Sequence, residues 1–109
     1  MAMQLSKELM DSIVLALLAQ EDLYGYVLTK SVQDVFAVSE STMYPVLRRI
    51  KEKDWVTTYD EPYEGRNRRY YQITDAGRSA LAEFQTDWQQ FQGKVNAILT
   101  EEAQHDDGQ

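Results

Sequence analysis

The chain has 109 residues, which suffice for one domain with a modest core but not for two independent domains. Its 43% hydrophobic and 27% charged residues exclude an intrinsically disordered protein. There are no cysteines, which excludes a disulfide scaffold and thiolate catalysis and fits a reducing cytoplasm. No apolar run approaches the roughly 18 residues of a membrane span, so we expect no membrane partner.

The formal net charge of -7 is concentrated in the two ends of the chain. Between Ser39 and Ser79 there are eight lysines and arginines against seven acids, whereas the remaining three basic residues accompany eleven acids. A basic patch in the middle of the chain is therefore compatible with the acidic total. Phosphate binding requires only this local positive potential.

The N-terminal third of the sequence predicts two helices. Ser6 is a suitable N-cap for the first, whose apolar residues recur at helical spacing until Glu21 and Asp22 end it. This helix is apolar on nearly every side, which predicts deep burial. A second helical pattern starts near Gly25 and closes at Phe36.

The third predicted helix begins close to Ser41 and continues to about Lys53. On a helical wheel at about 100° per residue, Met43, Val46, Leu47 and Ile50 share one arc and face the core. The opposite face and its flank carry hydroxyls, an aromatic ring and arginines, which suit phosphate oxygens and base edges. The candidate DNA-contacting residues here are Ser41, Thr42, Tyr44, Arg48 and Arg49. A merely solvated surface helix is the alternative for the two arginines.

From Trp55 the pattern changes to two short segments, W-V-T-T-Y and R-Y-Y-Q-I, that are typical of strands. Pro62 and Gly65 between them predict a β-hairpin with a loop longer than the minimum. Tyr71 and Ile73 are expected to pack on the third helix. The hairpin tip can reach a minor groove or neighbouring phosphates, and its candidate DNA-contacting residues are Arg66, Asn67 and Arg68. The alternative is a solvated turn balanced by Asp60, Glu61 and Glu64.

A fourth helix is predicted from Asp75, with Thr74 before it as a cap, to about Leu99. Its apolar residues are spaced as an unbroken heptad seam. At about 1.5 Å per residue the helix is about 38 Å long, more than a three-helix core can cover. We therefore expect a homodimer interface formed by Leu81, Phe84, Trp88, Phe91, Val95 and Ile98. The alternative is that this helix folds back on the first helix of its own domain.

These elements predict an α+β, mainly helical fold: a winged helix-turn-helix with three helices and a β-hairpin wing, followed by a long C-terminal dimerisation helix. The predicted divisions are a DNA-binding domain at residues 1–73, the dimerisation helix at 74–100 and a polar, disordered tail at 101–109. The single histidine, His105, lies in that tail. Because no nucleophile motif, phosphate loop or metal-ligand spacing marks a catalytic site, we expect no enzymatic activity, cofactor or metal.

Three segments resemble the PadR family of bacterial transcriptional regulators: Y-G-Y at 24–26, S-T-M-Y-P-V-L-R-R-I at 41–50 and G-R-N-R-R-Y-Y-Q-I-T-D-A-G-R at 65–78. The resemblance implies a homodimer on an inverted-repeat operator in double-stranded DNA, usually repressing a transporter or detoxification gene. The single long final helix is similar to that of the short PadR-like subfamily, which includes the multidrug regulator LmrR.

The same resemblance implies an effector site. In that subfamily a tryptophan of the last helix and its dimer mate flank a pore that accepts flat aromatic drugs, and Trp88 corresponds to it, with Phe91 beside it. Phe84 and Phe91 are bulky enough to fill that pore, so a dimer core without ligand is the alternative. A hypothesis of another class is a winged-helix protein-interaction module without DNA binding, which the net charge and the acids of the hairpin favour.

Overall fold

The computed structural model describes Met3 and residues 5–100. In chain order the elements are α1 (Lys7–Gln20), β1 (Leu23–Tyr24), α2 (Gly25–Gln33), α3 (Glu40–Glu52), β2 (Val56–Tyr63), β3 (Arg66–Ile73) and α4 (Asp75–Leu99). The predicted winged helix-turn-helix with a long C-terminal helix is confirmed. The predicted polar tail at 101–109 lies outside the described residues.

Three of the helices begin at a hydroxyl side chain that caps the first turn. Ser6 Oγ accepts from the backbone N–H of Leu9 at 3.1 Å, and Thr74 Oγ1 accepts from that of Gly77 at 3.0 Å. In α3 the cap is Ser39, whose Oγ accepts from the backbone N–H of Thr42 at 3.2 Å. The helix therefore starts at Glu40, one residue before the predicted start.

The sheet has three antiparallel strands in the order β1-β3-β2, so β3 is central. The sequence pattern predicted only the hairpin, because β1 has two residues and its ladder joins Leu23 to Tyr71 across 48 positions. The predicted long hairpin loop is wrong. The strands pair up to Tyr63 and Arg66, leaving a two-residue turn. Its Glu64 and Gly65 both have positive φ, 50° and 78°, which a tight hairpin turn requires.

The core lies around α1, which packs against α2, α3, β3 and α4. The predicted inward arc of α3 is confirmed, since all four of its apolar side chains are buried. The buried apolar residues are Met10, Val14, Leu15, Leu18, Leu28, Val32, Met43, Val46, Leu47, Ile50, Val56, Ile73 and Leu81. Tyr71 and Trp55 pack at the edge of this core.

The helix α4 leaves the core after Leu81. Further along it Trp88 is 38% exposed, Phe91 60% and Ile98 77%. The 25 residues of α4 are not apolar enough to cross a membrane, and the same is true of every other helix in the described part of the chain.

Candidate nucleic-acid interface

The N-terminal turn of α3 carries a cluster of hydroxyls. Ser39 Oγ lies 2.9 Å from Ser41 Oγ and 3.0 Å from Thr42 Oγ1, and all three side chains are exposed. The backbone N–H of Thr42 already donates to Ser39 Oγ, so the side-chain hydroxyls of this turn are the groups that can donate to an anion. Ser41 and Thr42 therefore lie where a phosphate could approach α3.

Tyr44 and Arg48 form an outward stripe one turn apart on α3. Tyr44 is 66% exposed and Arg48 is also exposed, with Pro45 beside them. Residues four positions apart lie on the same helix face, so the ring and the guanidinium present one surface to solvent. This surface combines an apolar body with a planar set of donors, which is the chemistry that reads base edges.

Arg49 lies on the other side of this stripe and is held by α1. Its Nε donates to both carboxylate oxygens of Asp11, at 2.9 Å to Oδ2 and 3.1 Å to Oδ1, and its Nη2 donates to Oδ1. The hydrogen bonds from Arg49 to Asp11 raise the pKa of Arg49 further above its ordinary value. Of the two α3 arginines that the sequence placed at the interface, Arg48 is the one whose guanidinium faces solvent, whereas Arg49 is turned to α1.

The wing tip presents Arg66 and Asn67, the first two residues of β3. They pair with Tyr63 and Pro62 across the hairpin, beside the two-residue turn, and both are exposed. Pro62 is tolerated because β2 is an edge strand and loses no essential ladder bond there. The tight turn holds both side chains at the extremity of the wing.

The other two wing arginines are engaged within the protein. The guanidinium of Arg68 lies over the ring of Tyr63 at 3.6 Å and over that of Tyr24 at 4.8 Å. Arg69 Nε donates to Asp60 Oδ1 at 3.1 Å, which lowers the pKa of the Asp60 carboxyl. The predicted DNA-contacting residue Arg68 is therefore half-buried against aromatic rings, whereas Arg66 extends from the tip.

A ladder of tyrosines stiffens the outer face of the sheet. Tyr59 stacks on Tyr70 with centroids 5.4 Å apart and planes 7° apart, and Tyr70 contacts Tyr24 at 5.9 Å. Tyr59 Oη donates to Asp22 at 2.7 Å, and this hydrogen bond is the main cause that raises the pKa of Tyr59 to about 12. The ladder connects the wing to the segment that precedes α2, and Tyr70 is the ring that joins Tyr59 to Tyr24.

The wing and α3 border a shared cleft of about 260 Å³. Tyr44 of α3, Arg69 of β3 and Tyr26 of α2 all line it, and Tyr26 is exposed. Sequence reasoning missed Tyr26 as a surface residue of this face, although the Y-G-Y segment marked its position. The cleft places Tyr44 of the outward stripe and Arg69 of the wing on one side of the molecule.

The predicted dimer seam on α4 is divided between core and surface. Leu81 belongs to the chain's own core, whereas Trp88 stacks on Phe84 at 6.4 Å and contacts Phe91 at 6.2 Å on an open face. A groove of about 730 Å³ runs between this face and the N-terminal end of α1. Its lining includes Met3, Ser6, Glu8, Leu9, Phe84, Asp87, Trp88, Phe91, Gln92, Val95 and Asn96.

Comparison with known proteins identifies the family. The sequence model described as the transcriptional regulator PadR-like family matches residues 14–83. Transcriptional regulator Rv3488 of Mycobacterium tuberculosis is 35% identical over 66 residues, which are 60% of this chain and 62% of that protein. These matches confirm the resemblance to the PadR family.

Solved structures agree with this. The PadR-like transcriptional regulator BC4206 from Bacillus cereus has a TM-score of 0.76 at 34% identity, covering 85% of this chain and 93% of that one. The structure of smu.1704 from Streptococcus mutans has a TM-score of 0.84 at 28% identity, covering 92% of this chain and 94% of that one. The similarity thus extends beyond the helix-turn-helix and the wing into α4.

Proposed function

The chain belongs to the PadR-like family of transcriptional regulators, and from this premise we propose that it is a homodimeric repressor that binds an inverted-repeat operator. The observation that supports DNA binding most directly is that Tyr44 and Arg48 are both exposed on one face of α3, next to the cleft that α3 shares with the wing. A family of transcriptional regulators also agrees with the expectation that the chain is not an enzyme.

The outward stripe of α3 is proposed to enter the major groove. Arg48 would contact a base edge, Tyr44 would pack against bases or sugar, and Ser41 and Thr42 would donate to a phosphate. Arg66 and Asn67 at the wing tip would contact the backbone or the minor groove on the adjacent side. Phosphate contacts set the register, and base contacts supply the sequence preference.

The open face of α4 is proposed to pair with that of a second copy. Aromatic side chains bury about 150–250 Å² each, so a partner that covers Trp88 and Phe91 removes a large apolar area from water. A two-fold axis is the most common arrangement for such self-pairing. It would place two α3 helices about one DNA turn apart, about 34 Å, which matches an inverted repeat.

An effector of flat aromatic shape is proposed to bind between the paired α4 helices, against Trp88 and Phe91. The groove beside them is lined by the carboxylates Glu8 and Asp87, which favours a cationic ligand, and the tryptophan ring adds a cation–π contact. Such a ligand releases DNA only if it binds one inter-subunit spacing more tightly than the other, because equal affinity shifts no population.

The DNA-binding proposal is tested by titrating salt against binding to a random duplex, followed by selection of genomic fragments on the pure protein. A DNA-binding regulator gives a steep negative log–log dependence of affinity on salt, and selection enriches a promoter that contains an inverted repeat. A flat salt response without an enriched fragment would instead support the protein-interaction module.

The effector proposal is tested by tryptophan fluorescence. The chain has two tryptophans, so Trp55→Phe leaves Trp88 as the single tryptophan. A planar cationic dye should quench this emission and displace the selected DNA fragment. Trp88→Ala should abolish the displacement at protein concentrations where sedimentation shows that the variant is still dimeric. Quenching without displacement would separate ligand binding from regulation and refute the effector role.

A further inference from the structure

Asp11 is a carboxylate in the interior of the helical core. It lies on α1 with only 4% of its surface exposed. An ionised carboxylate is costly to bury unless it is paired and hydrogen-bonded. Its partner is Arg49, 38 positions further along the chain on α3. The pair therefore fixes a long-range contact between two helices that otherwise pack through apolar side chains.

The geometry of the pair restricts rotation as well as distance. The two donating nitrogens of Arg49 engage both oxygens of Asp11, so the guanidinium plane and the carboxylate plane are fixed relative to each other. Lysine offers a point charge and cannot reproduce this planar fork. Because successive helical residues are turned by about 100°, holding Arg49 against α1 sets the direction in which Arg48 leaves α3.

The pair also lies between α3, which carries the proposed base contacts, and α4, which carries the proposed dimer interface. Helix α1 packs against both α3 and α4. A cleft of about 480 Å³ opens on Asp11 and Arg49 and is also lined by Lys53, Trp55 and, from α4, Phe84. Because Phe84 of α4 lines this cleft, a shift of α4 along α1 changes the surroundings of Asp11 and Arg49.

We propose that Asp11 and Arg49 are positioning residues for DNA recognition: their fork sets the rotation of α3 on α1 and so aims Arg48 and Tyr44 at the bases. This inference rests on the proposed function. Arg49 acts through Asp11 and not through the phosphate backbone, although its position beside Arg48 in the sequence suggests a second DNA contact. The pair should consequently affect the preference for a specific site more than general affinity for DNA.

The test compares the affinity for a genomic fragment selected by the unsubstituted protein with that for a random duplex of equal length. Asp11→Asn and Arg49→Lys should each lower the affinity for the selected fragment about tenfold, the equivalent of one misplaced base contact. Affinity for the random duplex and its salt dependence should stay unchanged. A matched control is Lys53→Met, which removes a charge from the rim of the same cleft without touching Asp11 and should preserve the ratio of the two affinities.

The double variant Asp11→Leu with Arg49→Met keeps the test decisive if a single substitution prevents folding. Buried ion pairs replaced by apolar side chains of similar volume often retain the fold, so this variant should be folded but should bind the selected fragment about tenfold more weakly. A double variant with the original affinity ratio would overturn the positioning role. It would also be overturned if Asp11→Asn strengthened binding to both duplexes, because a released Arg49 would then be contacting phosphate.

Failure of the proposed function has a different signature. If the unsubstituted protein bound neither a selected fragment nor a random duplex, DNA recognition itself would be refuted. Normal binding by the unsubstituted protein together with unchanged binding by all three variants would refute the positioning role alone.

Discussion

The guanidinium of Arg68 lies 3.6 Å from the centre of the Tyr63 ring, across the hairpin from it. Arg69, the next residue, is paired with Asp60, and Arg66 is exposed beside the turn. Three arginines within four positions therefore have three different surroundings. Arg66 extends from the wing into solvent, whereas Arg68 and Arg69 contact Tyr63 and Asp60 on the opposite strand and so hold the two strands of the wing together.

Replacing Arg66 by alanine is expected to weaken binding to any duplex. If Arg66 neutralises one phosphate, the log–log slope of affinity against salt should become shallower by about 0.9 in the variant. The melting temperature should not change, because the side chain is exposed at the tip. Fluorescence anisotropy with labelled duplex across a salt series measures the slope.

The matched comparison is Arg68→Ala. Arg68→Ala removes the same charge two residues away, but it also removes the cation–π contacts with Tyr63 and Tyr24. It should therefore change the salt slope less than Arg66→Ala does and lower the melting temperature more. Equal slope changes for both variants would show that Arg68 leaves the rings to contact DNA.

Arg48→Ala is expected to relax sequence preference at one base position of each half-site. The cost should be about 1–3 kcal/mol for the preferred base and close to zero for the other three. Competition with operator variants substituted at single positions measures it. Lys94→Ala removes an equal charge from the part of α4 beyond the core and should leave the preference unchanged. A uniform loss across all bases would reassign Arg48 to the phosphate backbone.

Local features of this fold could be predicted from the sequence because they depend on residues close together in the chain. The caps at Ser6 and Thr74 follow from hydroxyls that accept a backbone N–H three residues later. The inward arc of α3 follows from helical periodicity alone, and Met43 and Ile50 are buried as the wheel predicts.

Long-range pairings could not be predicted in this way. The fork between Arg49 and Asp11 joins positions 38 apart. The helical wheel places Arg48 opposite the core and Arg49 on the flank, but it does not identify Asp11 as the partner of Arg49. The same limit applies to β1, where Leu23 pairs with Tyr71, and to the contact between Arg68 and the ring of Tyr24. The sequence therefore indicated α3 and the wing as candidate surfaces, while the different surroundings of their arginines became visible only in the fold.

Gly77→Ala is expected to be strongly destabilising. A Cβ at this position would lie 2.1 Å from the backbone oxygen of Trp55, which also accepts the N–H of Thr74 and so cannot move freely. Overpacking of this kind should cost about 3 kcal/mol or more. Urea unfolding at a fixed protein concentration measures the change.

Gly93→Ala in the same helix is the matched control. Among the described residues, no atom other than those of the adjacent residues and the helix's own backbone lies within 4 Å of the Cβ that it would add, so it should stabilise the helix by about 0.5–1 kcal/mol. Destabilisation of similar size in both variants would mean that glycine matters at 77 for a reason other than the contact with Trp55.

Tyr59 is expected to titrate late in alkaline solution. Its pKa is raised from 10.0 to about 12, chiefly by the hydrogen bond to Asp22, so folding favours the protonated phenol. The stabilising contribution is therefore complete below about pH 10 and is lost as the pH rises towards 12. Ultraviolet absorbance of phenolate should show a last ionising component that Tyr59→Phe removes.

The same alkaline titration of Asp22→Asn tests whether Asp22 causes the shift in the pKa of Tyr59. It removes the negative charge that opposes phenolate formation, so the Tyr59 component should move to lower pH. A late component that persists unchanged in Asp22→Asn would assign the shift to burial or to Tyr70 and not to the carboxylate.

Phe91→Glu is expected to break the proposed dimer. The side chain is 60% exposed in the single chain and lies within reach of Trp88 on the open face of α4, so a partner copy would have to bury the new carboxylate. We expect the dissociation constant to rise at least about thirtyfold, or about 2 kcal/mol. Gln90→Glu adds the same charge at the neighbouring exposed position and should leave the dimer intact. Sedimentation velocity over a dilution series measures both. If Phe91→Glu stays dimeric at the concentrations where Gln90→Glu does, the dimer does not form through the open face of α4.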